Sequence, residues 1–142
     1  MIIHTAAEGI SMARQLETDS AAFYESAAGA YPRIGEKLLA MARENRKNIS
    51  QIEQVYYGVI TDAIEGCFAL NLETDDYAID IARKPGQDLK ELIDQVIRNE
   101  ERIQKYYLTA GEQSKSLMAD VSRSFTLTAQ KRKNRLAQLA DL

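Results

Sequence analysis

Four stretches of the chain place apolar residues three and four positions apart, and no other feature narrows the fold so far. That spacing turns one face of a helix toward a common interior. The first stripe runs Ile10, Ala13, Ala21, Tyr24, Ala27, and the second Leu38, Met41, Ala42, Ile49, Ile52, Val55, Val59. The third is Leu89, Leu92, Ile93, Val96, Ile103, Tyr107, Ala110, and the fourth Met118, Val121, Phe125, Ala129, Leu136, Leu139. The only two prolines, Pro32 and Pro85, fall where the periodicity breaks and read as punctuation between helices. Strand alternation is absent over any useful length, so the expected class is all-α.

The helix ends are marked as well. Thr5-Ala-Ala-Glu8 matches a capping box that opens the first helix, which ends around Gly29 to Pro32; the second follows at once. Asp88-Leu-Lys-Glu91 is a looser cap for the third, and the fourth is expected to start among Gln113 to Ser116. Between the pairs, Thr61 to Gln87 is irregular, with "EGCF", "ETDD" and "RKPG", and reads as a long connector with room for a short helical piece. Tight turns inside each pair and a long connector between them predict a four-helix bundle. It would be built from two antiparallel hairpins joined by a crossover, as a single domain over 1–142.

Composition narrows the partners. Apolar residues make up 45% and charged residues 27%, within the range of folded globular chains. A net charge of -3 supplies no positive field for nucleic acid or an anionic membrane. With no long apolar run and no basic-then-hydrophobic start, a cytoplasmic location is expected. The single cysteine, Cys67, excludes an internal disulfide and any Cys-x-x-Cys pair, and reads as a small apolar filler near a loop.

Each stripe is interrupted near mid-length by polar residues: Glu17, then Asn45 and Asn48, then Glu100, then Arg132 and Arg135. In a bundle, equivalent heights on four helices meet, so these residues predict a polar layer inside the core. The halves also repeat. Glu17 and Tyr24 match Glu100 and Tyr107 at one offset, since 100 − 17 and 107 − 24 both equal 83. The following helices align Asn45 on Arg132 and Asn48 on Arg135 at an offset of 87, from 132 − 45 and 135 − 48. A register matching the two "RKN" tripeptides, at 46–48 and 132–134, is rejected because it takes Arg132 off the inward stripe.

This arrangement resembles the rubrerythrin-like branch of the ferritin-like superfamily over nearly the whole chain. In such di-iron carboxylate bundles the first and third helices each give a Glu, and the second and fourth each give Glu-x-x-His. The resemblance implies a ferritin-like bundle with Glu17 and Glu100 at metal-ligand positions, each followed seven residues later by a tyrosine. The remaining ligand positions carry Asn45 and Asn48 on the second helix and Arg132 and Arg135 on the fourth, and the only histidine, His4, precedes the first helix. Asn is a weak neutral donor and Arg cannot be deprotonated to bind a cation, so no ordinary di-iron centre is expected.

Two buried glutamates without a metal need other cations. The residues predict that the Arg132 and Arg135 guanidiniums stand in for iron and that Asn45 and Asn48 fill the remaining donors and acceptors. Tyr24 and Tyr107 would cap the glutamates from one turn away, with Lys131, Lys133 and Asn134 on a solvated face. The functional expectation is a non-catalytic assembly or partner-binding protein, homodimeric and without a cofactor. The alternative is an iron-binding di-metal oxidoreductase or peroxidase of the rubrerythrin type with unorthodox ligands, for which Glu44 and Glu53 are the reserve carboxylates.

Overall fold

A computed structural model of the chain describes residues 1–60 and 67–142. Those residues form a short strand β1 (Ile2–Thr5), then helices α1 (Ala6–Ala30) and α2 (Gly35–Val59). Strand β2 (Phe68–Glu73) follows, then helices α3 (Leu89–Ser114) and α4 (Ala119–Ala140). The described chain is thus mostly helical, with four long helices, and none of them is long and apolar enough to cross a membrane.

The helix starts follow the local chemistry of the sequence. Thr5 Oγ1 accepts from the Glu8 backbone N–H at 3.2 Å, and Glu8 Oε1 accepts from the Thr5 N–H at 3.0 Å, so two of the donors left open at the start of α1 are satisfied. Asp88 Oδ1 accepts from the Glu91 N–H at 2.8 Å at the start of α3. Pro32 opens a single 3-10 turn, Pro32–Ile34, which reverses the chain between α1 and α2.

Three expectations need correction. Helix α3 runs through Ser114 and α4 begins only at Ala119, later than the stretch from Gln113 to Ser116. The buried Ser114 Oγ donates to the Ala110 carbonyl at 2.8 Å in the last turn of α3. Gly111 lies at a close helix approach. A Cβ there would come within 3.2 Å of Thr126 Oγ1 and 3.4 Å of the Ser122 carbonyl. Second, β1 and β2 form a small antiparallel sheet pairing Ile2 with Glu73, Ile3 with Leu72 and Thr5 with Phe68. The strands are short and bulged between Ile3 and Thr5, so only Leu70-Asn71-Leu72, with both leucines buried, carries the two-residue alternation. The outer edge of β2 is closed by a side chain: the Gln113 amide accepts from the Asn71 N–H at 2.7 Å and donates to its carbonyl at 3.3 Å. Third, Cys67 is exposed rather than an apolar filler; the described part of the connector holds this strand and, as its short helical piece, a 3-10 helix at Thr74–Tyr77. Residues 61–66 of the predicted connector lie outside the described residues.

Helix α1 packs along α2, and α3 along α4, while α2 meets α4 over a smaller contact. The apolar core is in two parts. One gathers Ile10, Ala13, Ile52, Tyr56, Ile103, Tyr106 and Phe125 beneath the small sheet. The other gathers Ala21, Leu38, Met41, Leu92, Val96 and Leu139 at the opposite end. Along every helix, the residues between the two parts are the polar ones that interrupt the stripes.

Candidate functional site

The interruption on each helix is buried. Glu17, Asn45, Asn48, Glu100 and Arg132 are 0% exposed and Arg135 is 2% exposed. An isolated charge in such a place would be prohibitively costly, so the layer must be internally paired. Arg132 does the pairing. Its guanidinium donates through Nη2 to Glu17 Oε2 at 2.5 Å and through Nη1 to Glu100 Oε1 at 2.6 Å. One planar fork therefore spans the two carboxylates from α1 and α3, a geometry that an ammonium could not reproduce.

Arg135, one turn along α4, donates through Nη1 to Glu100 Oε1 at 3.0 Å and to Asn45 Oδ1 at 2.7 Å. Its Nη2 reaches Glu44 Oε1 at 3.0 Å and the Met41 carbonyl at 3.4 Å, and the guanidinium lies 5.8 Å from the centre of the Tyr24 ring. Asn45 completes its own bonding by donating to the Glu17 backbone carbonyl at 3.1 Å. The two fully buried carboxylates thus face two guanidiniums, and the half-exposed Glu44 closes the rim.

The tyrosines do cap the glutamates, but across the bundle. Tyr107 on α3 donates to Glu17 Oε1 on α1 at 2.8 Å, and Tyr24 on α1 makes a short hydrogen bond to Glu100 Oε1 on α3. Each glutamate is served by the tyrosine of the other helix, because a side chain seven residues along its own helix lies two turns away. Burial and the adjacent carboxylates hold both phenols in the protonated donor form, well above the ordinary tyrosine range. Burial alone would push the Glu100 carboxyl up. The charges of Arg132 and Arg135, with hydrogen bonds from Tyr24 and Arg132, outweigh it and hold Glu100 below the usual carboxylate value.

Other predicted residues are placed differently. Asn48 does not touch either carboxylate: its Oδ1 accepts from Lys131 Nζ at 3.2 Å. Lys131 is accordingly half-buried, not solvated, and also donates to Gln51 Oε1 at 2.7 Å, while Lys133 and Asn134 are exposed. Glu53 is paired with Arg14 at 2.6 Å near the surface, away from the layer. His4 stacks on Phe68 at the small sheet, with ring centres 4.9 Å apart. The sequence pattern does not mark Lys131, because nothing local reveals that it reaches Asn48 and Gln51 on α2, nor does it show that Glu44 pairs with Arg135.

The residues present do not fit a di-metal centre. The space between Glu17 and Glu100 is spanned by a permanent cation, and no group of three or more His, Cys, Asp or Glu that could hold a metal occurs among the described residues. What the layer can do chemically is fix helix register. Moving α4 so that neither guanidinium reached the carboxylates would leave Glu17 and Glu100 buried without a counter-charge. Comparison with known proteins adds no identity: no family model, no curated protein and no solved structure matches the chain.

Proposed function

We propose that this chain is a ferritin-like domain of the rubrerythrin type, two antiparallel hairpins joined by a crossover, in which guanidinium ion pairs occupy the place of a di-iron centre. Its role is then non-catalytic: a rigid helical body that acts by assembly or by binding a protein partner. The observation that carries this reading is Arg132, bonded to Glu17 and Glu100 at once. A metal ion brought to those carboxylates would meet a fixed positive charge within hydrogen-bond distance of both, and Arg135 one turn away.

The test is metal content. Protein expressed with ample iron and purified without chelators is expected to carry no stoichiometric transition metal, and about two iron, manganese or zinc ions per chain would restore the oxidoreductase reading. A positive control comes from the ligand positions themselves. Asn45→Glu, Asn48→His, Arg132→Glu and Arg135→His together are expected to create cobalt binding with visible d–d bands. A folded variant without those bands would show that the four positions do not share the ligand geometry of the family.

A further inference from the structure

We propose that the face of α3 carrying Gln95, Asn99 and Arg102 is a binding site for the main chain of an extended polypeptide, occupied in this chain by its own residues 78–82. The inference rests on the partner-binding reading above and names the partner's chemistry: an extended protein segment recognised through its backbone.

The three side chains follow one another at helical steps of four and three residues, so they share one face of α3. Asn99 acts as a neighbouring strand would, its Oδ1 accepting from the Asp80 N–H at 3.0 Å and its Nδ2 donating to the Asp80 carbonyl at 2.8 Å. Gln95 Nε2 donates to the carbonyls of Asp80 at 2.8 Å and Ala82 at 3.0 Å, and Arg102 Nη1 donates to that of Ala78 at 2.6 Å. All of these bonds end on main-chain atoms, and they fall on residues 78, 80 and 82. Alternate residues of an extended chain turn their backbone groups to one side. Four such residues rise about 13 Å, against about 10.5 Å for the seven helical residues from Gln95 to Arg102. The reach of the two outer side chains spans the difference, so the helix presents a ladder matched to a strand.

The segment now on the ladder is held with little apolar burial. Of residues 78–86 Ile79 alone is partly buried, and the rest are exposed. The Asp80 carboxylate turns back to its own segment, accepting from the Ala82 N–H at 3.1 Å. Firm anchors stand at the two ends. Tyr77 packs edge-on against Tyr106 with ring centres 5.4 Å apart, and the Tyr31 hydroxyl donates to the Gln87 carbonyl at 2.5 Å. Between them, Arg83 adds exposed bonds to the Ser26 carbonyl and hydroxyl. Exposed backbone bonds with little apolar burial mark a region that opens on its own while the helices stay folded. Beneath it, Gln95 and Asn99 are only 1% and 5% exposed, and such amides require partners. Any extended chain offers them the same N–H and C=O groups whatever its side chains. The native segment's advantage is its tether, which keeps it at high local concentration, and not a side-chain match to the ladder.

The test titrates a fluorescent peptide with the sequence of residues 76–88 into the full chain, followed by anisotropy, with far-UV circular dichroism to establish that each variant is folded. Asp80→Pro takes the N–H donor from the native segment without touching the ladder, and is expected to tighten peptide binding by about 10-fold over the wild type. Adding Asn99→Leu to that variant is expected to abolish the gain. Methylating the peptide nitrogen at the Asp80 position is expected to do the same, whereas a merely adhesive surface would not respond to it. In the wild type, hydrogen exchange at the Asp80 amide is expected to proceed through local opening, with a weaker urea dependence than at Ile103 in the middle of α3. An Asp80 amide that exchanges only with global unfolding would overturn displacement of the segment. Asp80→Pro binding no more tightly than the wild type, or binding unchanged by Asn99→Leu or by N-methylation, would overturn the ladder as a main-chain site. Metal content answers separately: stoichiometric metal would remove the non-catalytic reading and leave a positive peptide result standing.

Discussion

Helices α1 and α3 meet the buried layer with the same residues, a glutamate and a tyrosine seven positions later, whereas α2 and α4 meet it with different ones. The first pair is reciprocal: Tyr107 serves Glu17 and Tyr24 serves Glu100. The second pair is one-sided, because α2 offers the Asn45 amide while α4 delivers both guanidiniums. Acids with a repeated pattern can be satisfied by any cation of suitable reach, but the cation must come from somewhere, and here one helix supplies it all. The stability of the layer should therefore depend far more on α4 than on α2.

The largest expected effect is at Arg132. Arg132→Leu leaves Glu17 and Glu100 buried without their shared cation and is expected to destabilise the chain by about 3–5 kcal/mol in urea unfolding. Arg132→Lys should recover only part of this, since a single ammonium cannot present the planar fork. On the opposite helix, Asn45→Ala removes one bond to a carbonyl and one acceptor for Arg135, and about 1–2 kcal/mol is expected. Equal losses at the two positions would erase the proposed asymmetry between α2 and α4.

A sharper version of the same comparison uses the tyrosines. Tyr24→Phe and Tyr107→Phe each remove one hydrogen bond to a buried carboxylate, and each is expected to cost about 1.5–3 kcal/mol. Similar values would support the reciprocity of α1 and α3. A near-zero value at one of them would show that its glutamate is sustained by the guanidiniums alone.

Acid titration should reveal Glu100. Its carboxyl is held below the ordinary value in the folded chain, so its contribution to stability is fully present above the unfolded value of about 4.3 and is lost as pH falls through the folded value. Stability measured from neutral pH downward should stay level until near the unfolded value and then fall. A gain in stability on mild acidification would mean that desolvation of the carboxylates prevails over their pairing. Among these predictions the smallest effect belongs to an exposed pair. Arg123→Ala removes the partner of Asp120, where the side chains are 71% and 57% exposed, and should change stability by no more than about 0.5 kcal/mol.

The layer itself could be read from the sequence because it is written in helical spacing. Glu17, Glu100, Arg132 and Arg135 fall on positions that the apolar stripes reserve for the interior, with Glu100 repeating Glu17 at an offset of 83 (100 − 17) and the arginines repeating Asn45 and Asn48 at an offset of 87 (132 − 45 and 135 − 48). The helix starts at Thr5 and Asp88 were legible for a similar reason, since capping acts within four residues. What was not legible depends on distant parts of the chain. The pairing of Ile3 with Leu72 joins residues that no local pattern relates, and the crossing of the tyrosines depends on how α1 and α3 lie together. The late start of α4 at Ala119 has no side-chain cap to mark it, and the close approach of Gly111 to Ser122 and Thr126 is a tertiary contact that no local pattern shows. Asn48 shows the limit most plainly. Its position on the stripe correctly buries it, but its partner is decided by how far Lys131 can reach.

A double-mutant cycle between Arg132 and Glu100 tests the central claim most directly. Urea unfolding of the wild type, Arg132→Leu, Glu100→Leu and the double variant gives the coupling between the two side chains, free of their individual packing losses. If the guanidinium holds the place of a metal, the double variant should be substantially more stable than the sum of the single losses implies, with a coupling above about 1 kcal/mol. Additive losses, with coupling below about 0.5 kcal/mol, would contradict the account.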